Sequence, residues 1–221
     1  MLQPLLFEEF EANTGILHKD FFLGWVNVRK VVSLREVVRV RDLRVMPMEY
    51  LIQLLRQVTL AGDKNNRPYE NATITTAKID PSILLVGQTF VERAKYQAII
   101  ELFSTFFEGF CVTRGVANST ALMVYGENSA GEAVLAHYLP PIIENGSQKI
   151  LLDGIHRNFL VMRIGTTLEA IIVSGVGADF PCQPQSWKLV TVVDAKPSRE
   201  QRYFNLRPEL FRNLEGVGID G

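Results

Sequence analysis

One short turn concentrates the residue types that could do chemistry in this sequence, namely Asp153, Gly154, His156 and Arg157. It follows the apolar run 149–152 and precedes a stretch with the apolar spacing of a short helix. Glycine lets the backbone approach a ligand closely, and the start of a helix presents free N–H groups and the positive end of its dipole. Because His156 and Arg157 add side-chain donors there, the turn is predicted to bind phosphate.

Asp153 needs a separate explanation, because its carboxylate would repel phosphate unless a cation or a proton lay between them. We interpret Asp153 as a candidate Mg²⁺ ligand or general base, and His156 as a second candidate catalytic residue. Glu144 ends the preceding predicted strand and would supply a further carboxylate if the two strands are neighbours. A purely structural alternative stays open, since Asp-Gly is a common turn pair and Asp also caps helices.

The elements that must position this turn alternate between strands and helices. In the stretch 139–143, through which a strand is expected to enter the turn region, Pro140 and Pro141 rule out a central strand with full ladder bonding. The predicted strands are 73–79, 110–113, 121–125, 149–152 and 168–173, and the predicted helices are 92–107 and 156–164. A strand, helix, strand series of this kind predicts an α/β (α+β) fold class.

The flanking sequence has a different character. Valines alternate with charged residues over 26–45, which favours strands, and 48–58 has helical spacing after Pro47. The polar stretch 61–68 is predicted to be a loop. These shifts predict an N-terminal strand/helix extension, a core and an irregular C-terminal tail that packs on the core, with boundaries at 1–68, 69–178 and 179–221.

Composition limits the function classes. The chain has 221 residues with 23 basic and 24 acidic side chains, so it lacks the overall basic excess of non-specific nucleic-acid binders. Its two cysteines form no CxxC or Cys/His cluster, which argues against a disulfide scaffold or a structural zinc site. Glu8 and Glu9 interrupt the first apolar run, and no run approaches membrane-spanning length, so a cytoplasmic protein without a membrane partner is predicted.

Several other residues have a structural interpretation. His137, beside the double proline, is predicted to be a packed, hydrogen-bonded core residue rather than a catalytic one, and His18 to be structural or exposed. Cys111 and Cys182 are predicted to be buried small hydrophobes. The side chains of Phe103, Phe106, Phe107 and Phe110 are assigned to the core.

A local group of cations, here called the basic segment, consists of Arg29, Lys30, Arg35, Arg39, Arg41 and Arg44. These residues do not share one strand parity, and Glu36 and Asp42 dilute their charge. A solvated or salt-bridged sheet face is therefore favoured over a nucleic-acid surface.

The segment from Ile150 to Gly165, read with the strand that follows it, resembles the core of the ParB/sulfiredoxin-like superfamily, in which a strand ends in a turn of the form D-G-x-H-R, G-x-R-R or G-C-H-R. The upstream order, with Lys78-Ile79-Asp80-Pro81 in an opening strand, is also similar, so the resemblance covers roughly residues 73–175. It implies a small mixed sheet with packed helices. It also implies a nucleotide ligand (ATP, ADP or CTP, with Mg²⁺), because members bind nucleotide phosphates at this turn.

Carried over by position, the resemblance implies phosphate contacts from residues at the start of the helix, namely Gly154, Ile155, His156, Arg157 and Asn158. Asp153 would match the motif aspartate of the free serine kinase. Gln88 and Arg93 match a Gln/Arg-containing segment that faces the nucleotide, although Thr89 as a helix cap and Glu92 at the third helical position offer a structural alternative.

Departures from the superfamily narrow the prediction. Ile155 stands where sulfiredoxin has cysteine, which argues against sulfinic acid reduction. His156 stands where partition proteins have a second arginine, and the C-terminal residues leave little room for their helix-turn-helix domain. The leading hypothesis is a nucleotide-binding domain that transfers or hydrolyses a phosphoryl group, with a small-molecule acceptor left open. The alternatives are a non-catalytic nucleotide- or DNA-phosphate-binding module, or a nuclease if the basic segment and the turn share a surface.

Overall fold

A computed structural model describes residues 2–17, 24–25, 27–105 and 120–220. The elements in chain order are β1 (Leu5–Leu6), α1 (Phe7–Thr14), β2 (Lys30–Val31), β3 (Arg39–Val45), α2 (Met48–Arg56), β4 (Thr59–Leu60), β5 (Thr73–Ile79), β6 (Leu85–Val86), β7 (Phe90–Glu92), α3 (Arg93–Thr105), β8 (Leu122–Glu127), β9 (Ala133–Tyr138), β10 (Ile142–Asn145), β11 (Lys149–Asp153), α4 (Ile155–Arg163), β12 (Leu168–Ser174), β13 (Thr191–Val193), α5 (Arg199–Arg202) and β14 (Arg212–Asn213). This mixture of helices and small mixed sheets confirms the predicted α+β class.

The chain forms two compact units that are interleaved along the sequence. Unit 1 comprises Met1–Ala72, Thr120–Leu139 and Phe211–Gly221, and unit 2 comprises Thr73–Ser119 and Pro140–Leu210. The boundaries at residues 68 and 178 remain a prediction. The packing adds that residues 120–139 and 211–220 group with the N-terminal stretch rather than with the segments beside them in sequence.

Unit 1 contains a five-stranded sheet with the order β1-β2-β9-β8-β3. β8 and β9 pair as an antiparallel hairpin, and the Gly131 N–H donates to the Asn128 carbonyl (2.9 Å) to close its turn. β3 pairs antiparallel with β8, so residues 39–45 of the alternating valine segment form a strand, as their β-branched side chains predict.

The basic segment is ion-paired where it joins this sheet. Its cations meet carboxylates on or directly before strands of this sheet, in the pairs Lys30–Glu132 (2.9 Å), Arg41–Glu127 (2.6 Å) and Arg44–Asp42 (2.9 Å). The Arg44 guanidinium also lies 4.6 Å from the centre of the Trp25 ring. The interpretation as a salt-bridged sheet face is confirmed for these residues.

His137 is a core residue of unit 1, as predicted. Only 6% of its surface is exposed, its Nδ1 lies 3.0 Å from the Gly218 carbonyl oxygen, and its Nε2 lies 2.8 Å from the Tyr50 hydroxyl. A carbonyl only accepts, so Nδ1 carries the proton and Nε2 accepts from the Tyr50 O–H. Burial lowers the pKa of His137 to about 4, which keeps the ring neutral at ordinary pH.

Unit 2 is built on a five-stranded sheet with the order β5-β12-β10-β11-β6. β10 lies in the middle, parallel to β12 and antiparallel to β11, and it begins only after Pro140 and Pro141. Pro141 has no backbone N–H to donate, but its carbonyl accepts a hydrogen bond from the Ile171 N–H (2.8 Å).

The core of unit 2 lies between one face of this sheet and the helices α3 and α4. Strand and helix residues of this core are fully or nearly fully buried, among them Val91, Ile143, Leu151, Val161 and Ala170. The aromatic rings of Tyr96, Phe159 and Trp187 pack against it, and the Trp187 Nε1 donates to the Pro81 carbonyl (2.7 Å). Burial of these apolar side chains fixes α4, and with it the turn that precedes it.

The chain after β12 returns along the β7 side of unit 2. β13 pairs parallel with β7, and isolated bridges join Val86 to Gln185 and Gln88 to Tyr203. Cys182 of this returning chain is buried, and its thiol donates to the Gly87 carbonyl (3.5 Å). Residues up to Leu210 thus belong to unit 2, and the division into a core and a tail stays a prediction.

The elements predicted around the turn are confirmed within one or two residues, as β5, α3, β11, α4 and β12. One assignment is wrong: Thr89 cannot cap α3, because the strand β7 intervenes and the helix begins only at Arg93. None of the helices described between residues 2 and 220 has the length and apolar character to cross a bilayer.

Predictions that fall outside the described residues concern the strand 110–113, the environments of His18 and Cys111, and the aromatic side chains of Phe103, Phe106, Phe107 and Phe110.

Candidate functional site

Gly154 joins β11 to α4 in a conformation that favours glycine. Its φ is +92°, and a Cβ at this position would lie 3.0 Å from both Cβ and Cγ of Pro141. The residue is therefore glycine for two reasons, a left-handed backbone and a close approach to the residue that precedes β10. The same features bring the end of β11, the start of β10 and the start of α4 to one point.

Gly154 also occupies the N-cap position of α4, so Asp153, the last residue of β11, is not the N-cap. A glycine cap supplies no side-chain oxygen to the first-turn N–H groups of the helix. The N-terminal end of the nine-residue helix thus keeps the polarity that favours an anion.

Asn158 lies beneath the turn with its side chain completely buried. Its Nδ2 donates to the Gly154 carbonyl (3.0 Å), which also accepts from the Asn158 backbone N–H (3.1 Å). Within the described residues, the buried Oδ1 of this side chain has no hydrogen-bond partner, which is rare for a buried polar atom. Asn158 therefore holds the turn and leaves one acceptor atom unsatisfied directly behind it.

His156 is bound to a neighbouring element. Its Nε2 accepts a hydrogen bond from the Glu92 backbone N–H (3.1 Å), at the junction of β7 and α3. An accepting Nε2 carries no proton, so the ring proton is on Nδ1. The predicted roles of His156 in phosphate binding or catalysis would consequently fall to Nδ1, while Nε2 ties α4 to β7.

Ile155 has a different place from the one its position in the motif suggested. Only 7% of its surface is exposed, and its side chain belongs to the core of unit 2. Its side chain therefore cannot contact a ligand, and only its backbone N–H, at the start of α4, remains for the predicted phosphate contact. Arg157, two residues on, is partly exposed in the first turn of the same helix.

Glu144 and Asp153 lie on neighbouring strands. β10 and β11 are antiparallel, with Asp153 opposite Ile142 and Glu144 opposite Ile150. Glu144 is buried, with 5% of its surface exposed. The predicted role of Glu144 as a second carboxylate beside the turn stays a prediction.

Gln88 and Arg93 both lie beside the returning C-terminal chain. Gln88 bridges to Tyr203, and the Arg93 Nε lies 2.5 Å from the Asp194 Oδ1 in an exposed ion pair. A ligand that used Arg93 would have to compete with this carboxylate. Their predicted role in ligand binding stays a prediction.

Sequence reasoning missed three residues of the returning chain that interact with this region. The charge of Lys196 acts on Glu92: partial burial of this carboxyl disfavours its ionised form, but a hydrogen bond from Lys95 and the charges of the two lysines lower its pKa overall. Burial raises the pKa of the Tyr203 phenol, and the Asp153 carboxylate adds to this rise. Arg202 precedes Tyr203, and its backbone carbonyl accepts from the Thr89 N–H (3.3 Å). Nothing local in the sequence marks these residues, since their relation to the turn depends on tertiary packing.

In the described part of the chain, no three His, Cys, Asp or Glu side chains are grouped so that they could hold a metal ion by themselves. Mg²⁺ in nucleotide sites is commonly held by one or two carboxylates together with phosphate oxygens. Asp153 at the turn fits the single-carboxylate form of that arrangement.

Comparison with known proteins gives one match. The family model of the ParB CE domain matches residues 50–191, which is more than half of the chain and includes the whole 153–158 turn. Searches of curated proteins and of solved structures found no match. The chain belongs to the ParB CE domain family.

Proposed function

We propose that this ParB CE domain binds a nucleoside di- or triphosphate, with its phosphates on the 153–158 turn. The observation that carries the proposal is the left-handed Gly154 packed against Pro141 at the start of α4. A backbone without a side chain at this point allows phosphate oxygens to approach the first N–H groups of the helix. The resemblance of the turn to the D-G-x-H-R form points to ATP, ADP or CTP.

Each polar residue of the turn has a distinct part in this proposal. The Arg157 guanidinium pairs with a phosphate oxygen, and the His156 Nδ1 donates to another while Nε2 stays bound to the Glu92 N–H. Mg²⁺ bound with the nucleotide would be held by Asp153 and would offset phosphate charge. Asn158 does not contact the phosphates in this proposal; its side-chain amide donates to the Gly154 carbonyl and so holds the turn in its conformation.

The first test is nucleotide binding by wild type and by Arg157→Ala, followed through thermal denaturation with and without Mg²⁺. A ligand at hundredfold excess over its Kd should stabilise the wild type by about 3 kcal/mol. Loss of a charged hydrogen-bond donor should weaken Arg157→Ala binding about tenfold to hundredfold.

The matched control is Arg163→Ala, which removes an exposed arginine from the last turn of the same helix. It should bind nucleotide as the wild type does. If no nucleotide raises the Tm of the wild type, or if both arginine variants behave alike, the turn is a structural cap and the proposal fails.

A second proposal, phosphoryl transfer or hydrolysis at the same turn, depends on Asp153. This residue lies at the end of β11, directly before the proposed phosphate site, where a carboxylate could orient and deprotonate an attacking water or acceptor hydroxyl. We expect inorganic phosphate release from a bound triphosphate, and a decrease of about 10²-fold to 10⁴-fold in Asp153→Asn. Tight binding without any release would instead identify a non-catalytic nucleotide-binding module.

A further inference from the structure

The strand β3 lies at the end of the unit 1 sheet and has one free edge. It pairs with β8 on one side, and within residues 2–17, 24–25, 27–105 and 120–220 no strand pairs with its other side. An edge of this kind presents a row of backbone N–H and C=O groups that can pair with another chain. With seven residues, β3 is long enough for such pairing.

The backbone of Leu43 is directed towards this free edge. The Met46 N–H donates to the Ala121 carbonyl (2.8 Å) and so continues the ladder between β3 and β8. Because backbone groups alternate in direction along a strand, those of Arg44 also point to β8, and those of Leu43 point away from it. The Leu43 N–H accordingly donates to Oδ1 of the preceding residue, Asp42 (2.8 Å), and not to β8.

Large apolar side chains on or directly before β3 are exposed over more than half of their surface. They are Val38, Val40, Leu43 and Val45. Leu43 lies opposite Val124 of β8, and Val45 lies opposite Leu122, so both project from the same face of the sheet as Val124. Val124 is buried in a small apolar cluster on that face. The apolar surface therefore continues from this cluster to the free edge, where it is exposed.

Opposite charges stand on either side of Leu43, on the other face of the strand. Arg44 and Asp42 form an ion pair (2.9 Å) in which each side chain is 39% exposed. The buried Trp25 ring holds both of them, because its Nε1 donates to the Asp42 Oδ2 (2.5 Å) and the Arg44 guanidinium lies 4.6 Å from the ring centre. The two charges consequently have fixed positions beside the free edge.

These charges make the edge complementary to itself in one register. In an antiparallel pair of two β3 strands centred on Leu43, Asp42 of each copy lies opposite Arg44 of the other. A pair centred on Asp42 or on Arg44 would place like charges opposite each other. A pair centred on Val45 would set Leu43 opposite Pro47, which has no N–H to donate. Charge and backbone hydrogen bonding thus favour the same centre.

We propose that β3 pairs antiparallel with β3 of a second copy of this chain, with the two-fold axis at Leu43, so that the two unit 1 sheets become one. The Leu43 N–H exchanges the Asp42 oxygen for the Leu43 carbonyl of the second copy, and the freed oxygen faces Arg44 of that copy. The apolar side chains of Leu43 and Val45 meet their counterparts across the axis. An interface of one strand pair is small, which corresponds to a reversible dimer with a Kd in the micromolar range.

The first test exchanges the charges and measures the dimer Kd of the full chain by analytical ultracentrifugation. Asp42→Lys and Arg44→Glu each place like charges opposite each other at both ends of the pairing. Each variant alone should dimerise about tenfold to hundredfold more weakly than the wild type. An equimolar mixture of the two variants restores opposite charges at both ends and should dimerise again, which also shows that both variants are folded.

The second test locates the axis by cross-linking. Residues exchanging both hydrogen bonds across an antiparallel pair have Cα atoms about 5.5 Å apart, within the range of a disulfide. Leu43→Cys should therefore form a covalent dimer under mild oxidation. Val40→Cys is the matched control, because Val40 is equally exposed but would lie about 20 Å along the strands from Val40 of the second copy. It should remain uncross-linked, as should the wild type.

Three results would overturn the inference. The first is a wild type that stays monomeric throughout the micromolar range, including one in which β3 binds an extended peptide of another protein instead. The second is a wild-type dimer with a mixture of Asp42→Lys and Arg44→Glu that does not associate. The third is equal cross-linking of Leu43→Cys and Val40→Cys, which would place the contact elsewhere.

Discussion

Replacing Gly154 with alanine is expected to lower the free energy of unfolding of unit 2 by about 2 to 5 kcal/mol. Two costs add in this variant. A non-glycine residue at φ +92° is strained, and the new Cβ would lie 3.0 Å from two carbon atoms of Pro141, a ring that cannot move away as a flexible side chain could. Urea denaturation monitored by Trp187 fluorescence measures the loss, since this ring packs on the core of unit 2.

Gly165→Ala is the matched control for this substitution. Gly165 follows the other end of α4 with φ +67°, but no atom lies within 4 Å of the Cβ it would gain. Only the backbone cost of about 1 to 2 kcal/mol should therefore appear. Equal losses in the two variants would mean that the contact with Pro141 does not constrain the turn, and the main argument for a preformed site would be lost.

The second large effect is a loss of stability of unit 1 on mild acidification, caused by His137. Above pH 6.5, the ordinary pKa of histidine, the ring is neutral in both the folded and the unfolded chain and contributes no pH dependence. Between pH 6.5 and about pH 4 the unfolded chain takes up a proton that buried His137 does not. Stability should therefore fall by about 3 kcal/mol as the pH decreases through this window.

His137→Asn supplies the comparison, because its amide can donate to the Gly218 carbonyl but does not titrate. We expect this variant to be less stable than the wild type at pH 7 and to lose less stability between pH 6.5 and pH 4. The difference between the two pH profiles isolates His137 from the exposed carboxylates, which contribute to both. Parallel profiles would show that the ring is accessible to protons in the folded state.

The sequence was most informative where a structure is determined by neighbouring residues. The alternation of apolar runs with helical spacing predicted β11, α4 and β12, and a glycine after a buried strand predicted the sharp turn at Gly154. The prolines at 140 and 141 were predicted to exclude a central strand, but β10 begins directly after them and lies in the middle of its sheet. Each of these features depends on propensities and steric limits that act within a few residues.

The predictions that were wrong or incomplete depended on partners distant in sequence. The sequence left open whether β10 and β11 are neighbours, and it did not predict their antiparallel register. The partner of the His156 Nε2 is 64 positions away, at Glu92. Lys196 and Arg202 belong to the segment predicted to be an irregular C-terminal tail, in which no local pattern distinguished them. Register and tertiary partners are set by how whole elements pack, which no local pattern in one sequence encodes.

The discontinuity of unit 1 has a consequence for the order in which the protein can be assembled. Its core includes Gly218, whose carbonyl binds His137, and Asp220, which accepts hydrogen bonds from the Leu2 N–H and the Ser33 hydroxyl. On the ribosome these C-terminal residues emerge after all of unit 2 has been made. Unit 2 can therefore complete its sheet during synthesis, while the N-terminal stretch keeps apolar surface exposed until residues 211–220 emerge. Chaperone dependence should accordingly be concentrated in unit 1.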